Sequence, residues 1–253
     1  MTEYQKHDHA NSFGAVAAEY DAARPSYPAE LFDRLEELTG RPLKGAEVLD
    51  VGAGTGIATR LLAARGARVT AVEPSPGMAA QLRLASPELP LVKAGGDELP
   101  FHDGTVDLVT YAQAFHWTDP DRSIPEALRV LRPGGSLATW WNVKDTSVAW
   151  VRAMGERLAA ALPSYQHQGG SNVITEAFAP YGLPTASARL RWQREIDVEL
   201  LLADLVSRSY FAVLTPEQRA PVLAAERAAL LAEFPGGTVT EPYVLDLTVV
   251  TKE

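Results

Sequence analysis

Hydrophobic and polar positions alternate between two patterns over the first 142 residues. Short apolar runs, of the kind that form buried parallel strands, occupy residues 48–51, 68–72, 91–94, 106–111 and 136–141. Segments with helical spacing of apolar residues separate them: 57–62, a segment reaching Leu84, and 120–131. This order predicts an α/β fold with a doubly wound, mostly parallel sheet.

The pattern changes beyond Asn142. Helical spacing predicts helices around 147–162, 198–212 and 216–233, and strands are expected at 186–195 and 243–251. Near the N-terminus, helices are expected at 13–20 and 29–39. We therefore expect one domain over 1–253, with a ligand-binding half at 40–142, lid helices at 1–39, and a C-terminal half at 143–253 that carries a helical cap and the last strands.

Composition narrows the classes of partner. Of the 253 residues, 46% are hydrophobic and 22% charged, and the net charge is −9 with scattered basic residues, which disfavours a nucleic-acid substrate. No cysteine is present, and no apolar run reaches membrane-spanning length. We expect a cytoplasmic protein, monomeric or homodimeric, that acts on a small molecule. A His7-Asp8-His9 tract lies in a polar tail, which does not make a preformed metal site, so we expect no metal.

A glycine-rich turn follows the first strand. Gly52, Ala53, Gly54 and Gly56 come directly after Asp50-Val51, and Glu73, followed by Pro74, ends the second strand. Glycines allow a ligand to approach the backbone closely, and an acid about 20 residues after the first glycine can bind both ribose hydroxyls. The unit predicts a nucleoside site.

The spacing of the glycines distinguishes between nucleosides. A dinucleotide fingerprint is G-x-G-x-x-G, but Ile57 occupies the third glycine position here. Asp50, just before the loop, disfavours a pyrophosphate and favours a cationic ligand. A nicotinamide oxidoreductase is therefore disfavoured.

Other candidate residues lie where further strands end. The segment 112–117 follows the fourth strand and should face the same crevice, which brings Gln113, Ala114, His116 and Trp117 to the ligand. Gly96 and Asp97 suit the edge of a nucleobase. Met78 either lies against the base or is an ordinary core residue.

A proline-stiffened elbow precedes the first strand. Arg24, Tyr20 and Tyr27 lie on it, and the residues alone leave open whether Arg24 and Tyr20 only pack there or reach a carboxylate of the bound ligand.

These motifs together resemble the type-11 family of class I S-adenosylmethionine-dependent methyltransferases, in particular its trans-aconitate-methyltransferase-like branch. The similarity covers residues 13–142 and rests on four segments: Phe13 to Pro28, Val48 to Gly56, Ala112 to Trp117, and Arg129 to Gly135. A weaker match is Ser207-Arg208-Ser209-Tyr210, which looks like part of the branch's helical cap.

The resemblance implies a Rossmann-like seven-stranded sheet and the cofactor S-adenosylmethionine, with S-adenosylhomocysteine as product. Asp50 and the three glycines would line its methionine side, Glu73 would hold the ribose, and Gln113 would flank the sulfonium. Gly96 and Asp97 would approach adenine. Relatives often carry glutamate at the position of Asp97. The shorter acid is a departure from the family pattern and affects the expected contact with adenine.

The resemblance therefore predicts methylation of a small molecule at oxygen, nitrogen or carbon. Two alternatives stay open: a rearrangement or cyclisation that uses the cofactor's charge without methyl transfer, and a non-catalytic cofactor-binding protein. Because the methyl group of a sulfonium is already activated, catalysis needs mainly orientation and exclusion of water. His116 is the candidate base, with pocket shaping as its alternative role.

Contacts with the acceptor are expected from five side chains, and Arg24 or Arg208 is a candidate partner for a carboxylate on it. The five are Trp117, Tyr27, Tyr165, Arg208 and Tyr210.

Overall fold

The computed structural model describes residues 24–162, 165 and 176–253. The expected helix at 13–20, with Tyr20, and the His7-Asp8-His9 tract lie outside these residues. The described helices and strands run, in chain order, as α1 Ala29–Thr39, β1 Glu47–Val51, α2 Ile57–Ala64, β2 Arg68–Val72, α3 Pro76–Ala85, β3 Leu91–Val92, β4 Val106–Ala112, α4 Pro120–Val130, β5 Leu131–Lys144, α5 Ala149–Ala161, β6 Thr185–Asp197, α6 Val198–Val206, α7 Ser209–Ala212, α8 Pro216–Glu233 and β7 Thr238–Thr251.

The strands of the described chain form one seven-stranded sheet. Its order is β3-β2-β1-β4-β5-β7-β6, and β7 pairs antiparallel with both of its neighbours. The four neighbouring pairs in the part of the sheet ordered β3-β2-β1-β4-β5 are all parallel. The predicted doubly wound, mostly parallel sheet is therefore confirmed.

Parallel pairing brings the carboxyl ends of the central strands to one edge of the sheet. Asp50 of β1 lies opposite Ala71 of β2 on one side and Thr110 of β4 on the other. Gly52, Glu73 and Gln113 each follow the last residue of one of these three strands. The sequence patterns therefore meet at a single edge, which we call the crevice edge.

Apolar residues cover both faces of the sheet. One cluster packs α1 and α2 onto one face through Leu31, Leu35 and Leu62, and Trp140 lies fully buried within it. A second cluster fills the opposite face around Val109 and Leu131. A third joins helices α5 to α8 and forms the expected helical cap.

Several elements differ from their predicted bounds, and two of the differences change the description of the fold. The expected helix at 198–212 is two helices, because Arg208 adopts an extended backbone conformation (ψ 147°) between α6 and α7. Strand β5 is longer than predicted and begins at Leu131. Its first residues loop out of the pairing with β4, since Val106 lies opposite Leu131 but Leu108 lies opposite Ser136. Gly134, with φ at 73°, accommodates that irregular segment.

Candidate functional site

The glycine loop packs directly against the end of β4. A Cβ atom added at Gly52 would lie 2.4 Å from the Cβ of Ala114, and the φ of Gly52 is 69°. Only glycine fits both the backbone conformation and the contact. The structure thus brings together two segments that lie about 60 residues apart in the sequence.

The Glu73 side chain is hydrogen-bonded to the glycine loop. One carboxylate oxygen accepts a hydrogen bond from the Gly54 amide at 2.8 Å, and the other accepts from the Ser75 amide at 2.7 Å. The side chain is buried, and burial raises the pKa of Glu73 even though both amides favour its charged form. The Glu73 carboxyl group therefore lies against the glycine loop, where the sequence predicted that a ribose binds.

Asp50 lies beneath the same loop and is fully buried. The Thr59 hydroxyl donates to one carboxylate oxygen at 2.6 Å, and the Thr110 hydroxyl donates to the other at 2.9 Å. Burial raises the pKa of Asp50 to about 6, and the two hydroxyls oppose that rise. Direct contact between Asp50 and a ligand stays a prediction; the contacts observed are with the two threonines.

The raised pKa of Asp50 has a consequence for stability. Its folded-state pKa of about 6 exceeds the ordinary 3.8, so its carboxyl binds a proton more tightly in the folded protein. The protonated Asp50 carboxyl therefore contributes to the free energy of unfolding below pH 4, and this stabilisation is lost as the pH rises toward 6.

We expect Asp50→Asn to gain stability relative to wild type as the pH rises from 4 to 6.5, by up to about 3 kcal/mol. Urea unfolding of both proteins across that range measures the difference. If the difference in unfolding free energy between the two proteins did not change with pH, the raised pKa of Asp50 would be contradicted.

Gln113 at the end of β4 has a strained backbone. Its φ of 58° is left-handed, an uncommon conformation for a residue other than glycine. Its backbone amide donates to the Trp140 carbonyl at 2.9 Å and its side-chain Nε2 to the Asn142 carbonyl at 3.0 Å. These bonds to β5 hold Gln113 at the crevice edge, next to Ala114 and the glycine loop.

The predicted base-binding segment is tied to helix α4. An Asp97 oxygen accepts from the Asp119 amide at 2.9 Å, and a Cβ at Gly96 would lie 2.9 Å from the Tyr111 hydroxyl oxygen. Met78 is buried in α3, as its core interpretation requires. Contacts of these residues with a nucleobase stay predictions, as does that of Pro74, which follows Glu73.

His116 and Trp117 form a short 3₁₀ turn after β4. Their rings are tilted by 42° with 4.7 Å between centroids, and His116 is exposed. Its two expected roles, as a base or in shaping the pocket, both stay predictions.

Trp117 lies beside His116 after β4, and the other four candidate acceptor contacts fall into two groups. In the cap, the rings of Tyr165 and Tyr210 meet edge to face at 5.0 Å, next to buried Arg208. Tyr27 instead meets Trp140 edge to face at 5.9 Å, on the face of the sheet that α1 covers.

Arg24 and Arg208 converge on Asp204, a fully buried residue of α6. Arg208 donates to Asp204 at 2.7 Å, and the Nε of Arg24 lies 3.7 Å from the other carboxylate oxygen. Burial opposes the ionisation of Asp204, but the attraction of Arg208 and Arg24 outweighs it and leaves its pKa below the ordinary value. The two arginines proposed to receive an acceptor carboxylate are thus partners of a protein carboxylate.

Three polar residues at the site were missed from the sequence. Thr59 and Thr110 bind Asp50, and the Asn142 side-chain oxygen accepts from Trp192 Nε1 at 2.8 Å. A signal was present for the two threonines, because each is a polar residue among mostly apolar neighbours on its element.

Within residues 24–162, 165 and 176–253, no three His, Cys, Asp or Glu side chains are grouped to hold a metal. No helix of that part is long and apolar enough to span a bilayer.

Known proteins match this chain over most of its length. A family described as "Methyltransferase domain" matches residues 49–139. The uncharacterized methyltransferase Rv3342 of Mycobacterium tuberculosis is 38% identical over 214 residues, which cover 84% of this chain and 82% of that protein. Among solved structures, a candidate type II methyltransferase from Anaeromyxobacter dehalogenans aligns with a TM-score of 0.69 at 27% identity, covering 91% of this chain and 97% of that one.

A more distant structure shows the same fold. Phosphoethanolamine N-methyltransferase 2 of Haemonchus contortus, in complex with S-adenosyl-L-methionine, aligns with a TM-score of 0.57 at 16% identity. The alignment covers 94% of this chain and 57% of that one.

Proposed function

This chain belongs to the class I methyltransferase family, and we propose that it transfers a methyl group from S-adenosylmethionine to a small-molecule acceptor. The finer relation to the trans-aconitate-methyltransferase-like branch is part of the proposal. The acceptor atom is oxygen, nitrogen or carbon. The net charge of −9 supports a small acceptor rather than a nucleic acid.

The proposal rests mainly on one observation, the hydrogen bond between the Glu73 carboxylate and the glycine loop. Glu73 directly follows β2 and accepts from the Gly54 amide, so the acid lies against the glycine loop, the position in which a strand-end acid can bind a ribose. A Cβ at Gly54 would meet nothing within 4 Å, so the loop has open space beside its backbone. Asp50 beneath the loop adds a second acidic group that favours a cation over a pyrophosphate. These features fit a positively charged nucleoside.

The cofactor supplies an activated methyl group on a sulfonium. In the proposed site Glu73 would hold the ribose, and Gly52, Ala53, Gly54 and Gly56 would present backbone to the methionine portion. Gln113 and Ala114 would lie beside the reacting centre, since they contact β5 and the loop.

The protein's remaining task is to orient the acceptor and exclude water, and orientation alone contributes roughly 7–11 kcal/mol in favourable cases. We propose that the helical cap formed by α5 to α8 serves that purpose. If the acceptor carries a proton that must leave, exposed His116 is the residue we propose to accept it.

Methyl-labelled S-adenosylmethionine, incubated with the protein and a small-molecule extract, tests the reaction. We expect label in a product one methylene heavier than its acceptor, together with S-adenosylhomocysteine. A product of unchanged mass would indicate a rearrangement, and cofactor binding without any product would indicate a binding protein. Either result would contradict methyl transfer. Gly52→Ala, whose loop cannot keep its conformation, is the inactive control.

A further inference from the structure

Strand β6, at Thr185–Asp197, forms one edge of the sheet. It is the last strand in the sheet order, and its strand neighbour in the described chain is β7. The strand is 13 residues long, and its pairing with β7 runs from end to end without a shift of register. A long, regular edge strand presents a row of unpaired backbone groups that another strand can bind. The edge is therefore a candidate interaction surface.

The direction of the backbone groups of β6 follows from its pairing with a proline. Gln193 lies opposite Pro242, and the Pro242 carbonyl accepts from the Asp145 amide on the other side of β7. The two residues of an antiparallel pair point their backbone groups either at each other or both away. Pro242 points away from β6, so Gln193 directs its N–H and carbonyl to the open edge. Pro184 and Val198, at even-numbered positions, bond toward β7 as this alternation requires.

The odd-numbered residues of β6, which direct their backbone groups to the edge, also carry exposed side chains. Leu190 and Ile196, between them, are buried. In the exposed series two cations come before a central glutamine and two carboxylates come after it. The series is Arg189, Arg191, Gln193, Glu195 and Asp197. Charges on an edge strand discourage pairing with other chains, but that protection does not require the two signs to be separated about a neutral centre.

This order of charges is complementary to its own reversal. When Gln193 lies opposite Gln193 of a second, antiparallel copy, Arg191 lies opposite Glu195 and Arg189 opposite Asp197. Every charge of the series then faces the opposite sign, which stabilises a pair of strands. Moving the axis by one residue in either direction leaves only one of these kinds of charge pair within the two strands, and moving it to Arg191 places that arginine opposite itself.

The four charged side chains have partners within their own chain and are nevertheless exposed to solvent. The side chains of Arg189 and Arg191 are 59% and 68% exposed. In the order Arg189, Arg191, Glu195 and Asp197, the partners are Asp246, Asp145, the Thr240 hydroxyl and the Glu199 amide. A guanidinium has five N–H donors and a carboxylate has about four acceptor positions, so each group can bind a second partner.

We propose that β6 is the interface between two copies of this chain, which pair antiparallel about a two-fold axis at Gln193 and join their sheets. The same surface of each copy forms the contact, as in an isologous dimer. At the axis, the Gln193 amide of each copy donates to the Gln193 carbonyl of the other. The partner is a second copy because the charge order of β6 matches its own reversal. The dimer is independent of the proposed methyl transfer.

Sedimentation velocity of the full chain over a range of concentrations tests the proposal. We expect wild type to dimerise. Arg191→Glu places a glutamate opposite Glu195, and Glu195→Arg places an arginine opposite Arg191. Each change occurs twice in a symmetric dimer, so each variant should dimerise at least about tenfold more weakly. Arg83→Glu, on the exposed surface of α3, is the matched charge control and should dimerise as wild type does.

A mixture of the two variants tests the register itself. In a mixed dimer the new glutamate faces the new arginine, and Glu195 of one copy faces Arg191 of the other. We therefore expect the equimolar mixture to dimerise about as tightly as wild type, whereas mixing would not repair a damaged fold. A mixture that associates no more tightly than the separate variants would overturn the proposal. So would a wild type that stays monomeric up to its solubility limit.

A proline at the axis tests the backbone contact. Gln193→Pro removes the N–H that points to the open edge, so it leaves the hydrogen bonds between β6 and β7 in place. We expect this variant to lose most of its dimer while its circular dichroism stays that of wild type. Gln193→Ala keeps the N–H and is the matched control, which should dimerise nearly as wild type does. Equal dimerisation of the proline and alanine variants would contradict pairing through β6.

Discussion

Glu73→Gln should lower the affinity for S-adenosylhomocysteine by up to roughly a hundredfold, the loss expected when a buried, charge-assisted hydrogen bond is removed. In wild type both carboxylate oxygens accept from backbone amides, of Gly54 and Ser75. Glutamine has only one oxygen, so its NH₂ group must face an amide that also donates. The substitution therefore disturbs the glycine loop and removes the proposed ribose acceptor at once.

Isothermal titration calorimetry measures the effect of Glu73→Gln. Glu88→Gln is the matched control, because Glu88 is an exposed glutamate in the turn after α3. The control should bind as wild type does. An affinity of Glu73→Gln within threefold of wild type would mean that this carboxylate does not hold the ligand.

Gly52→Ala should destabilise the fold by about 2–5 kcal/mol, because an overpacked contact and a left-handed backbone add their costs. The new Cβ would lie 2.4 Å from the Cβ of Ala114, so the loop or the end of β4 must move. Either movement separates the two segments that form the proposed cofactor site. We therefore expect loss of S-adenosylhomocysteine binding as well as loss of stability.

Two further variants divide the cost of Gly52→Ala into its parts. Gly104→Ala has a similar φ of 63° and nothing within 4 Å of the added Cβ, so only the backbone cost of about 1–2 kcal/mol applies. Combining Gly52→Ala with Ala114→Gly removes the clash and should restore most of the steric share. Urea unfolding measures all of these proteins. Equal losses in Gly52→Ala and Gly104→Ala would show that the contact with Ala114 carries no weight.

Strong periodic patterns in the sequence predicted the sheet and the meeting of its motifs. The apolar runs around Val48 and Val109 are long enough to specify buried strands, and parallel strands end at one edge. Gly52 and Ala114 could therefore be assigned to one crevice from their positions alone. Helix α8, at Pro216–Glu233, was predicted from its helical spacing at the bounds observed, and the structure shows a capping box of Thr215 and Gln218 at its start.

Side-chain pairings across the fold could not be predicted in the same way. The sequence placed Arg208 on one continuous helix over 198–212, but the structure breaks that helix between α6 and α7 and buries Arg208 against Asp204, four residues earlier. The second partner of Asp204 is Arg24, which lies far away in the sequence, so no local pattern shows it. Likewise, nothing local shows that Thr110 binds Asp50, because the two residues become neighbours only when β1 pairs with β4. Such partners depend on register, and register is set by the whole sheet.

The central claim is that the glycine loop, together with Glu73, binds a cationic sulfur nucleoside. Calorimetry with competing nucleosides tests this claim most directly. S-adenosylmethionine and S-adenosylhomocysteine should each bind at one site per chain, and the oxidised nicotinamide dinucleotide should give no heat. Uptake of the dinucleotide, with no response to either sulfur nucleoside, would contradict the account.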